Sequence, residues 1–189
     1  MKKFFSILDK IFEIVTPIVF IAYGIGALIF SNSNFMQQNN ILILEILLII
    51  QGVATIADFI GGHKIRHGVN YDIVFGIVPI AMGIIFMARN MNLEHICLIW
   101  GIFEIAKGAF EIQHLVVLVH EKDYVATVEI VLAIVEIIFG ILLCIHTEED
   151  IKIHLIVVGI VFILSAAKQI FATVMEYKQK NKDINEEEK

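Results

Sequence analysis

Apolar residues in this chain come in long runs rather than in the alternating or one-sided patterns of a soluble fold. Six runs stand out, at 12–30, 41–60, 72–89, 93–117, 125–145 and 153–175. A helix crosses the hydrocarbon core of a bilayer with about 20 mostly apolar residues, and each run approaches or exceeds that length. Polar and turn residues separate them: Ser31 to Asn40, Gly61 to Asn70, Arg89 to Asn92, His120 to Asp123 and His146 to Lys152. The pattern predicts an all-α membrane protein with six transmembrane helices. The third and fourth helices are joined so briefly that an antiparallel hairpin is expected there, and another between the fourth and fifth.

The flanks are polar. In residues 1–11, Lys2, Lys3 and Lys10 would face headgroups while Phe4, Phe5 and Leu8 face lipid, an interfacial segment. Asp9, Lys10 and Glu13 interrupt the apolar region, and Ser31-Asn32-Ser33 lacks an alanine-type cleavage pattern, so the first helix is expected to be retained. The single membrane domain then covers 12–177, and the charged tail 178–189 is expected to be frayed or disordered.

Basic residues set the direction. With alternating spans, Lys2, Lys3, Lys10, Lys64, Arg66, Lys122, Lys178, Lys180, Lys182 and Lys189 share one side, against Arg89 and Lys152 on the other. Cytoplasmic loops carry the excess of Lys and Arg, which places both termini in the cytoplasm of a multi-pass protein of the bacterial inner membrane.

Composition agrees. Hydrophobic residues make up 58% of the chain and mean hydropathy is +0.83, against the roughly 45–50% apolar content of soluble domains. The net charge of −6 argues against a nucleic-acid partner, which would want a basic face. Cys97 and Cys144 both sit inside apolar runs and read as small buried hydrophobes rather than a disulfide framework.

The chain also repeats itself. Phe12-Glu13-Ile14-Val15, Tyr71-Asp72-Ile73-Val74 and Val128-Glu129-Ile130-Val131 open the first, third and fifth helices, and a Gly-Ile pair begins 11 residues after each acid, at Gly24, Gly83 and Gly140. In the even-numbered helices Gly101 to Gly108 aligns with Gly159 to Ala166 and, more loosely, with Glu45 to Gly52. The unit is read as one helical hairpin, present at about 12–60, 71–117 and 128–175. Each copy starts on the same side, so the three are expected around a pseudo-threefold axis near the membrane normal. In lipid, helices are held by close packing, so Gly24, Gly83, Gly140, Gly52 and Gly108 are expected at helix contacts. Glu13, Asp72 and Glu129 are expected in first turns, where the helix dipole favours an acid.

The pattern Gly101-Ile102-x5-Gly108-x3-Ile112, after a helix ending in Gly83-Ile84-Ile85, resembles the short repeat of the HdeD family of bacterial inner-membrane proteins. The likeness extends over all six spans and is clearest over 71–175. In that family an acid or Ser often precedes the second glycine and a basic or amide residue follows four positions on. Here those places hold Lys107 and Glu111, with reversed signs, Ser165 and Gln169 in the last repeat, and Gln51 and Thr55 in the first. The resemblance implies six helices and a link to acid or general stress resistance, with no catalytic residues.

Charges inside apolar runs are the candidate chemistry. Glu104, Lys107 and Glu111 share one face of the fourth helix. An ionised side chain at mid-bilayer costs about 2.5–3.5 kcal/mol on insertion scales, so a Glu-Lys-Glu ladder is the expected compensation, with a proton or ion path as the sharper alternative. Gln51, Thr55 and Asp58 occupy the positions matching Lys107, Glu111 and His114, and Ser165 and Gln169 match the first two, giving three polar stripes that could converge on the axis. Glu45, Glu136 and Lys168 stand apart, although Glu136 could reach Lys168 across the last hairpin. His63 and His67 flank Lys64 and Arg66 without an acidic or cysteine partner and read as a solvated basic loop. His114 and His120 are read with the same caution. Trp100 is expected between helices.

No Walker loop, dinucleotide fingerprint, Gly-x-Ser-x-Gly elbow or Cys-x-x-Cys occurs. No catalytic, cofactor or metal residue is therefore assigned, and a non-enzyme is expected. One reading is a stress protein of the HdeD type that acts in the bilayer by association, alone or as a homo-oligomer. The other is a small transporter or channel for protons or a small solute.

Overall fold

The computed structural model describes residues 2–61, 72–119, 124–145 and 151–187, nearly all of them helical. Six helices follow in order: α1 (Lys2–Phe30), α2 (Asn34–Gly61), α3 (Asp72–Arg89), α4 (Leu93–Val119), α5 (Tyr124–Cys144) and α6 (Ile151–Glu187). Four contain stretches long and apolar enough to cross a membrane: Lys10–Phe30, Asn39–Ala57, Ala126–Cys144 and Lys152–Met175. The apolar part of α3, Ile73–Arg89, is shorter, and α4 is diluted by Glu94, Glu104, Lys107 and Glu111.

The flanks continue the end helices: α1 runs from Lys2 and passes through Pro17, and α6 runs on to Glu187. Lys, Gln and Glu are good helix formers, so a helix already begun in an apolar span propagates through them.

Three helix pairs pack most closely: α2 with α3, α4 with α5, and α1 with α6. Each is held at a glycine. A Cβ added to Gly83 would lie 2.7 Å from the carbonyl oxygen of Glu45; at Gly101 it would lie 2.6 Å from that of Gly140, and at Gly24 2.6 Å from that of Gly159. Any larger residue would push the backbones apart, and in lipid this close contact is what holds helices together. Further along, Gly52 meets Gly76, and Gly108 meets Ala133. All five glycines singled out from the repeat thus touch a neighbouring helix, whereas Gly26 faces open space.

The partners share one register. Glu45, Gly101 and Gly159 are aligned positions of the repeat, and they oppose Gly83, Gly140 and Gly24, which are aligned as well. The packed unit is therefore an even-numbered helix with the odd-numbered helix after it, and α6 with α1. That is one helix out of step with the hairpin unit expected. The expected α4–α5 hairpin is present, but α3 and α4 touch little despite their short connection. Phe75 spans the gap between them, its ring 6.3 Å from that of Phe103 and 6.1 Å from that of Phe110.

The connection itself is built for reversal. Asn90 takes a left-handed conformation, with φ 46°, and the Met91 N–H donates to the Phe86 carbonyl at 3.4 Å, a Schellman ending to α3. Asn92 Oδ1 then accepts the His95 N–H at 3.1 Å and caps α4.

Because α1 and α6 run antiparallel, the start of α1 and the end of α6 lie at one end of the bundle, the terminal end. Toward the other, far end, all six helices contribute to an apolar core. Phe162 is its centre, with the rings of Phe20 at 4.8 Å, Tyr23 at 5.0 Å and Trp100 at 5.1 Å. Tyr23 Oη donates to Asn40 Oδ1 and links α1 to α2.

Candidate functional site

Below this aromatic core the interior changes character. Helical spacing puts Trp100, Glu104, Lys107 and Glu111 along one side of α4. The Trp100 indole donates to Glu104 Oε1 at 2.9 Å. Lys107 Nζ lies 3.5 Å from Glu104 Oε2 and 3.5 Å from Glu136 Oε1 on α5. Lys168 of α6 pairs with Glu136 Oε2 at 2.9 Å and also with Glu111. Three carboxylates, two ammonium groups and an indole thus form one chain of contacts across three helices.

Charge separation alone would not hold these groups in an apolar bundle. Desolvating each ion is costly, and mutual attraction repays it only with close partners and extra hydrogen bonds. Both oxygens of Glu104 are engaged, one by the indole and one by Lys107. Glu136 has lysines on both oxygens, although Oε1 makes no hydrogen bond of good geometry. Side-chain exposure rises from 1% at Glu104 to 15% at the lysines and 23% at Glu111. The cluster is sealed toward the far end and opens toward the terminal end.

The expected ladder is therefore rearranged. Lys107 takes Glu104 and, across the helix pair, Glu136, while the partner of Glu111 is Lys168. Glu136 and Lys168, which were expected to stand apart from the stripes but able to reach each other across the last hairpin, do pair and link the two halves. The signal was present: each is a charge in an otherwise apolar span, and such residues seldom lack a partner.

Among the described residues, the other stripe positions do not join the cluster. Thr55 Oγ1 donates to the Gln51 carbonyl of its own helix at 3.0 Å, and Gln51 Oε1 is buried without a hydrogen bond. Ser165 and Gln169 are half-buried on α6. The side chains of Asp58 and His114, and the segment with His63 and His67, lie outside the described residues, as does His120.

The family model described as "Short repeat of unknown function (DUF308)" matches residues 90–145, and this repeat is the domain of HdeD-type membrane proteins. No curated protein and no solved structure matches the chain. The matched stretch runs from the Asn90 turn through α4 and α5, so it coincides with one glycine-packed pair and carries Trp100, Glu104, Lys107, Glu111 and Glu136. With its apolar helices, the chain is an integral membrane protein carrying this repeat.

Proposed function

We propose that the chain is a non-enzymatic inner-membrane protein of the HdeD type, linked to acid or general stress resistance, with both termini cytoplasmic. In this reading all six helices cross the bilayer as three copies of one unit around a pseudo-threefold axis. The shared register of the three glycine crossings, closed by α6 on α1, supports that arrangement. The ten-to-two imbalance of basic residues supports the orientation. The observation that carries the functional reading is the cluster itself: each charge has an opposite charge beside it, and Phe162, Trp100 and Phe20 block one side. Carboxylates held in this way brace the α4–α5–α6 junction rather than attack a substrate, and an apolar plug opposes a continuous polar route.

A transporter for protons or a small solute is the second reading, favoured by the rise in exposure from Glu104 to Glu111 toward one end. Acid-survival and proton-leak measurements on cells with and without the gene separate the two. Lower acid survival without a change in proton leak is expected; a leak that disappears with the gene would favour transport. Cysteines placed at Asn34 and at Lys64 should react with an impermeant reagent in intact cells only at Asn34. Equal reaction at both would overturn the orientation.

A further inference from the structure

The ion cluster leaves one reactive pair unused. Cys97 and Cys144 are the two cysteines of the chain, and both thiols are free. They stand on the two helices of a glycine crossing. From Gly101 opposite Gly140, four residues toward the far end of the bundle lead to Cys97 on α4 and to Cys144 on α5. Antiparallel helices therefore bring the two cysteines to the same level, one turn from the closest approach.

Contacts place Cys144 against the turn of α4 that carries Cys97. Cys144 Sγ would be 2.7 Å from a Cβ on Gly101, and the thiol donates to the carbonyl of Leu98, the neighbour of Cys97, at 3.7 Å. A disulfide needs Cα atoms within roughly 4.4–6.8 Å, and facing Cα atoms, each about 2.3 Å off its helix axis, reach that range when the axes lie toward the near end of the usual ~8–10 Å. A crossing narrowed by glycine is where two helices come near enough for a bridge.

We propose that Cys97 and Cys144 form an intramolecular disulfide that staples α4 to α5 at the far end of the bundle. Cys144 is half-buried and is the entry point; Cys97 is fully buried and resolves. In the cell the oxidant is the disulfide of a dithiol oxidoreductase. The Cys144 thiolate attacks it to give a mixed disulfide and frees one partner sulfur. The Cys97 thiolate then attacks Cys144 Sγ and expels the second. The S–S bond of the oxidoreductase breaks, the new one forms, and the two protons and two electrons end on the partner's thiols. Oxidation in the cell rests on the orientation proposed above, which turns the far end toward an oxidising compartment.

The test uses the full chain purified in detergent. It is treated with diamide, whose nitrogen–nitrogen double bond accepts the two electrons and two protons, then denatured and tagged with a polyethylene-glycol maleimide. Reduced protein should take two tags. Diamide-treated protein should take none and remain a monomer on a non-reducing gel, while Cys97→Ser and Cys144→Ser should each keep their one tag. Two tags after diamide, or a disulfide-linked dimer, would overturn the pairing. Cells quenched in acid and tagged in the same way should yield untagged protein. Two tags from cells, where diamide closes the bridge in the purified protein, would overturn the outward placement of this end and leave the pairing standing.

Discussion

Two three-helix junctions of this molecule occupy matching places in the repeat but are filled differently. Where α4, α5 and α6 meet, Glu104 and Glu136 are joined through Lys107. Where α6, α1 and α2 meet, the positions aligned with Glu104 and Glu136 are Phe162 and Phe20, and their rings pack edge to face at 4.8 Å. Ser165 stands at the place of Lys107, and Ala54 at that of Lys168. The apolar junction shows that this geometry does not require ions. Buried ion pairs replaced by well-packed apolar groups are often as stable or more so, so the presence of ions does not by itself separate a brace from a proton path. Removing the charges together does.

The comparison is most sharply broken at Lys107. In Lys107→Met, Glu104 loses its cation and Glu136 one of its two. Leaving a buried charge without its partner costs about 3–5 kcal/mol, read as loss of stability in detergent unfolding. The triple change Glu104→Leu, Lys107→Met and Glu136→Leu retains the Lys168–Glu111 pair and should recover most of that loss, since the junction then resembles its aromatic counterpart. If the triple variant is as unstable as Lys107→Met, the two junctions are not interchangeable and the ions are structural. If it is stable but inactive in acid survival or proton flux, the cluster is the working part.

Trp100 joins the two kinds of interior, its ring against Phe162 and its indole N–H on Glu104. Trp100→Phe retains most of the ring packing and removes the donor. A hydrogen bond to a charged group is worth about 1.5–3 kcal/mol, so unfolding should shift by that amount. The same substitution made in the triple variant should cost much less, because no carboxylate remains to be satisfied. Equal costs in the two backgrounds would show that the indole contributes through packing alone.

The glycine crossings are shared by both regions and should respond alike. Gly140→Leu and Gly24→Leu would each force a side chain into a neighbouring helix, and overpacking of this kind costs roughly 1–3 kcal/mol. Gly26→Leu, with nothing within 4 Å of an added Cβ, should change stability by a few tenths of a kcal/mol at most. Comparable melting for Gly26→Leu and Gly140→Leu would count against close packing as the source of the sensitivity.

Much of this was legible in the residue pattern. Long apolar runs separated by polar breaks specify helices wherever backbone groups must satisfy themselves, and the described helices follow those runs closely. The recurring glycines marked where helices touch, because in lipid only small residues allow close approach. What the pattern left open was which helix each glycine touches. A short link between α3 and α4 argued for a hairpin, yet the turn at Asn90 allows the helices to diverge, and Gly101 and Gly108 face α5 instead. The ion cluster divides in the same way. Lys107 within reach of Glu104 follows from helical geometry, three residues apart on one surface. Glu136 to Lys168 was one candidate across the last hairpin, but Lys107 to Glu136 and Lys168 to Glu111 join residues up to 57 positions apart. Only packed helices decide such pairings, because the cost of an unpaired charge dictates that a partner exists, while the register of the crossings determines which one it is.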